Sequence, residues 1–220
     1  MRTLLLAATA IAGFVIVSSP ANAALIATFG QTSATNTVVA TDNGTATHIV
    51  VDDAVTAVTT FASGPIGNVQ FSLDANSTDA AVNIGGAIIQ HYAGTFCFTS
   101  GTDCSGTNYL SGVFDDAAFG GAGGPGLVVN ANNPPDLLSL TSDVLTASQL
   151  AAPNSFNLGF TDIATPPGLH INGTTIGAYT ASFAGNVSAS TVAVPEPASL
   201  ALLGLGVLGI AAVRRRQGTQ

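Results

Sequence analysis

Apolar and polar residues alternate one for one along several stretches of this chain, and that pattern limits its folding more than any other. Val69, Phe71 and Leu73 interleave with Gln70, Ser72 and Asp74, and Phe156, Leu158 and Phe160 with Asn157, Gly159 and Thr161. Tyr179, Ala181, Phe183 and Val187 oppose Thr180, Ser182, Asn186 and Ser188 in the same way. A period of two puts apolar side chains on one face of an extended strand, whereas a helix needs a period near 3.6. Further strands are expected at 47–51, 55–61, 88–99, 109–114, 127–130 and Leu137–Thr141. Turn chemistry separates them at Asp42-Asn43-Gly44, Gly64-Pro65, 120–126, 132–135 and Pro166-Pro167-Gly168. A helix competes only at 146–152, ahead of Pro153; elsewhere glycine and β-branched residues disfavour it. No tandem repeat of fixed period is visible, which counts against a solenoid or a propeller. About eight half-buried strands must pack sheet on sheet or close on themselves. The expected body is all-β, a single antiparallel β-sandwich of jelly-roll type.

Charge narrows the function. Every arginine is Arg2 or one of Arg214, Arg215 and Arg216, and there is no lysine, so residues 24–193 carry no permanent cation. The acids of that body are all aspartates, and the formal net charge of the whole chain is -8. Binding to nucleic acid or to an anionic lipid surface through phosphate contacts is excluded, because that affinity comes from Lys and Arg.

The two ends read as signals rather than as parts of a core. Arg2, the apolar stretch 4–17 and the small-residue site Ala21-Asn22-Ala23 make residues 1–23 a secretory signal peptide cleaved after Ala23. Its apolar helix is short for a permanent span, and Ser18-Ser19-Pro20 follows it. The implied partners are a Sec translocon and signal peptidase. At the other end, Val194-Pro195-Glu196-Pro197 precedes the uncharged apolar run 198–213, and Arg214, Arg215 and Arg216 follow. The run is long enough for a transmembrane helix across a thin or deformed bilayer. Arginines stay on the cytoplasmic side, which places 217–220 there as a tail and everything before Pro195 outside.

This tripartite segment, 194–216, resembles the PEP-CTERM protein-sorting signal of exported bacterial proteins, also known as the C-terminal domain of ice-binding proteins. The resemblance rests on Pro195, Glu196, Pro197, the Gly-rich span and the arginine cluster. It implies recognition by an exosortase, cleavage near Pro-Glu-Pro after transient membrane anchoring, and release to the cell surface or an exopolysaccharide matrix. The body, 24–193, lies outside the resemblance. An ice-binding role for it would need a regular threonine array, and Thr45-Ala46-Thr47 is too short.

Within the body, Cys97 and Cys104 are the only cysteines, and in an exported protein they read as a disulfide closing the turn 98–103. Zinc would need two more ligands, while His48, His91 and His170 are distant in sequence; a redox pair lacks the Cys-x-x-Cys spacing. Gly204, Gly206 and Gly209 match Gly-x-Gly-x-x-Gly only inside the apolar run. Asp74, Asn76 and Asp79 lack the glycine and glutamate of a calcium loop. On regular strands the neighbours Asp52 and Asp53, and Asp115 and Asp116, point to opposite faces. Neither Gly-x-Ser-x-Gly nor His-Glu-x-x-His occurs in the body, and no cofactor is implied. The expected role is a non-catalytic structural protein of the cell surface or exopolysaccharide matrix. The alternative is a carbohydrate- or calcium-dependent binding module, for which Tyr92, Tyr109 and Tyr179 without any tryptophan offer few stacking platforms.

Overall fold

The alternating stretches fold as expected, as strands with one buried face. A computed structural model describes residues 23–120, 125–130, 135–164 and 169–190. In chain order the strands are β1 (Ala23–Gln31), β2 (Val38–Asp42), β3 (Thr47–Phe61), β4 (Gly67–Ser77), β5 (Val82–Ile84), β6 (Ala87–Thr99) and β7 (Asn108–Phe119). They continue with β8 (Gly126–Asn130), β9 (Leu137–Thr141), β10 (Asn154–Ala164), β11 (Ile171–Asn172), β12 (Thr175–Ile176) and β13 (Tyr179–Ser190). No helix occurs among the described residues, and the signal segment 1–22 and the sorting segment 191–220 lie outside them. The 146–152 stretch makes a single turn, in which the amides of Gln149 and Leu150 both donate to Thr146 O.

The strands close into a barrel, which corrects the expected sandwich. The order β6-β4-β3-β1-β13-β10-β8-β7 returns to its start because β6 and β7 pair from Gln90↔Phe119 to Thr99↔Asn108. All pairings are antiparallel, and eight strands make the ring. A one-sided apolar pattern reads identically in a sandwich and in a barrel; closure is decided by the β6–β7 ladder, which removes two free edges.

One stave of the wall is shared. β1 pairs with the second half of β3, β2 pairs with the first half, and both lie beside β13. On the far side β7 gives its end to β8 (Phe119↔Leu127) and its middle to β9 (Val113↔Ser139). β1 and β13 pair from Ala23↔Ser190 onward, so the described body begins and ends at one end of the barrel. The β2–β3 turn and the β5–β6 hairpin stand at the opposite end.

An eight-stranded barrel has an interior that side chains can just fill, and phenylalanine fills this one. Phe29 packs on Phe71, Phe98, Phe156 and Phe183, with the Phe29 and Phe98 centroids 4.6 Å apart; Phe96 stacks on Phe156 at 4.3 Å. Toward the far end Phe119 and Phe160 pack against Tyr179, and Tyr92 against Phe119. Each fully buried ring stabilises by about 1.5–3 kcal/mol relative to exposure. Gly94 allows β6 to approach its neighbours: a Cβ there would lie 2.2 Å from Asp74 O and 2.9 Å from the Phe114 ring.

The hairpin of β11 and β12 covers the far end through a buried polar cluster. Thr47 Oγ1 donates to Ile176 O at 2.7 Å, and Ile176 N donates to Gln90 Oε1 at 3.0 Å. Gln90 Oε1 also accepts from Tyr92 Oη, and its Nε2 donates to Ser77 Oγ and Asp79 O, so the buried amide is fully satisfied. Thr175 Oγ1, Asn172 Nδ2 and Gly44 N all donate to the Asp42 carboxylate.

Candidate binding groove

A concavity of about 420 Å³ lies on the outer face of the wall, where β3, β4, β6, β7 and β9 run side by side. Register places its lining in two rows that cross the strands. One row reads Val50, Asp74, Thr95, Val113, Ser139, each residue directly opposite the next. The other reads Ser72, Cys97, Ser111, Thr141. Neighbouring strands lie roughly 4.8 Å apart, so the five-residue row is on the order of 19 Å long.

The loop between β6 and β7 walls one side. Cys97, whose side chain faces outward, is bonded to Cys104 with Cα atoms 5.8 Å apart, as the spacing predicts. Asp53 holds the same loop independently: its carboxylate accepts the Asp103 amide at 2.9 and 3.0 Å and the Ser72 hydroxyl at 2.8 Å. Asp53 can do this because β3 bulges between Val51 and Ala54, with Asp53 at φ 42°. The two stretches read as separate strands at 47–51 and 55–61 are therefore one strand. The bulge also corrects the expectation that Asp52 and Asp53 diverge: Asp52 lines the groove and Asp53 braces its wall. Asp116, at φ 61°, likewise shares a shallow pocket with Asp115.

Some groove side chains are committed, Ser72 donating to Asp53 Oδ1 and Ser111 to Asn108 Oδ1, and others are free. Thr95, Ser139, Thr141 and Asp52 are exposed without an intramolecular side-chain hydrogen bond, whereas Asp74 Oδ1 accepts from Asn76 Nδ2 and meets His48 Nε2 at 3.0 Å. The opposite wall satisfies itself: Ser155 bonds Ser188, Asn157 bonds Asn186, and Gln31 ties Ser182 to Thr37.

The histidines sit beside separate aspartates. His91 Nδ1 approaches Asp116 Oδ1 at 2.6 Å, outside hydrogen-bond alignment, and His170 lies near Asp42. Among the described residues no three His, Cys, Asp or Glu side chains gather into a group able to hold a metal. Burial pushes the Asp42 carboxyl up, but the hydrogen bonds from Thr175, Asn172 and Gly44 together with the field of His170 outweigh it and hold the group below its ordinary value. Burial pushes the phenols of Tyr92 and Tyr179 up, so both stay neutral. Tyr179 Oη is buried with no hydrogen-bond partner.

Of the residues singled out in the sequence, Cys97 and Cys104 belong to this groove, and Ala23 opens β1 opposite Ser190. Ala21, Val194, Pro195, Glu196, Pro197, Arg214, Arg215 and Arg216 lie outside the described residues. The family model of the PEP-CTERM protein-sorting motif matches residues 193–216. The chain carries a PEP-CTERM sorting motif. That motif marks an exported protein sorted by an exosortase. No curated protein and no solved structure matches the chain, so the barrel and its groove stand on their own geometry. Sequence reasoning missed Thr95, Ser139 and Thr141 as a set. Their signal was the polar phase of the strand alternation, which becomes a row only once the register is known.

Proposed function

We propose that the protein is a non-catalytic structural component of the cell surface or exopolysaccharide matrix. The observation that carries this reading is the division of side chains by the barrel wall. Each of the ten phenylalanines from Phe29 to Phe183 is buried, as are Tyr92 and Tyr179, and Tyr109 packs edge-on against Phe61. The outer face between residues 23 and 190 carries no lysine or arginine. What faces solvent combines hydroxyl, amide and carboxylate groups with aliphatic side chains such as Ile84, Val113 and Leu137, a surface suited to neutral hydrated polymer rather than to polyanions. A discrete sugar-binding module that stacks rings on exposed aromatics finds no such platform among the described residues.

In this reading the Sec translocon and signal peptidase remove residues 1–23. The run 198–213 then holds the chain in the inner membrane, with Arg214, Arg215 and Arg216 on the cytoplasmic side. Exosortase cleavage near Pro195-Glu196-Pro197 releases the barrel. The test is fractionation of an exosortase-bearing host expressing the full chain. The expected mature form lacks Arg214, Arg215 and Arg216 by mass spectrometry and co-purifies with surface or matrix material. Deleting 194–216 should send it to the soluble fraction. A mature form that keeps Arg216, or matrix recovery that survives the deletion, would refute the reading.

A further inference from the structure

We infer that the outer groove binds a strand of uncharged polysaccharide laid across the five β-strands, an inference that rests on the matrix reading above and supplies its point of contact. The row Val50, Asp74, Thr95, Val113, Ser139 presents one side chain about every 4.8 Å, a spacing close to the length of one pyranose ring. Along it one carboxylate and two hydroxyls are interspersed with two valines. A sugar ring has the matching mixed character, with hydroxyls at its rim and C–H groups on its faces, so a chain laid along the row meets both hydrogen-bonding and apolar groups.

Charge selects among polymers. With Asp52, Asp74 and Asp103 around the groove and no lysine or arginine between residues 23 and 190, an anionic chain is repelled. A peptide is disfavoured by direction: peptides add along exposed sheet edges and parallel to the strands, whereas this row runs across β3, β4, β6 and β7, which are paired on both sides, and reaches an open flank only at β9. The loop wall is held at Cys97–Cys104 and again at Asp53, so the groove stands formed before any ligand arrives. Binding to a fixed groove of short side chains costs little ordering entropy.

The test is affinity electrophoresis of the exported protein in gels containing neutral dextran, with alginate as the polyanion. Dextran should retard the wild type and alginate should not. The double variant Thr95→Val/Ser139→Ala removes two row hydroxyls and keeps exposed strand positions. It should weaken retardation about tenfold, as expected from losing one or two net hydrogen bonds. Val113→Lys, at a position 59% exposed, should abolish it, while Thr41→Val on β2 should leave it intact. Near-UV circular dichroism confirms the fold of each variant. Equal retardation of wild type and groove variants, no retardation by dextran, or equal retardation by alginate would overturn the groove assignment. The matrix reading is tested separately: groove failure with matrix recovery retained leaves that reading standing, whereas loss of matrix recovery in the wild type defeats both.

Discussion

Tyr179 shows how a single buried atom can work against the fold that contains it. Its ring packs against Phe119 and Phe160, but its hydroxyl is shut away from water without a partner. An unpaired buried hydroxyl costs roughly 1–3 kcal/mol. Tyr179→Phe should therefore leave stability unchanged or raise it by about 1 kcal/mol, read as a higher urea midpoint at constant slope. A clear loss would mean that the hydroxyl has a partner. Asp42 acts in the opposite sense. Its folded-state carboxyl titrates below its ordinary value, so between the two values only the folded chain keeps the charge. Its contribution is complete above about pH 4 and is lost as pH falls through the lower folded value. Asp42→Asn should flatten the acid side of a stability-against-pH profile; an unaltered acid limb would show that Asp42 does not clamp the β11–β12 hairpin.

At the scale of elements, the loop between β6 and β7 has two anchors of different chemistry. The disulfide closes a loop spanning seven residues in sequence, for which chain-entropy arguments give about 2–3 kcal/mol. Cys97→Ala/Cys104→Ala should destabilise by roughly that amount in urea unfolding. Because the Asp53 carboxylate still holds the Asp103 amide, dextran retardation should fall only partly. Complete loss of retardation would show that Asp53 alone cannot keep the wall in place. These elements also show where sequence reading stops. The strands at 69–74, 156–161 and 179–188 were legible because each has one apolar face. β1 and β2 were not foreseen, since Ala24–Leu25–Ile26–Ala27 and Val38–Val39–Ala40 read as apolar runs without clean alternation. The bulge at Asp53 was hidden as well: aspartate tolerates a positive φ better than most residues, but which aspartate adopts it depends on partners distant in sequence, here Ser72 and the loop.

For the whole molecule, the choice between sandwich and barrel depended on which strands meet, and alternation is silent on partners. Partner choice also creates the groove, whose rows combine residues from β3 to β9 that are up to about ninety positions apart in the chain. One architectural prediction follows from Ala23 standing opposite Ser190. A circular permutant that joins residue 190 to residue 24 by a short Gly/Ser linker and opens the chain at Gly64-Pro65 should fold to the same barrel, with a single cooperative thermal transition. Broad or non-cooperative melting would show that the β3–β4 turn is needed for closure.

The neighbouring placement of β1 and β13 also sets a schedule. The opening strand must wait, solvated on one flank, until the last one has been made and carried across the membrane, because β13 also bridges to β10 and β2. Long-range closure of this kind is slow. In the sorting scheme proposed above, the apolar run 198–213 just downstream of β13 would give the nascent polypeptide time to complete its ring at the lipid boundary before being set adrift.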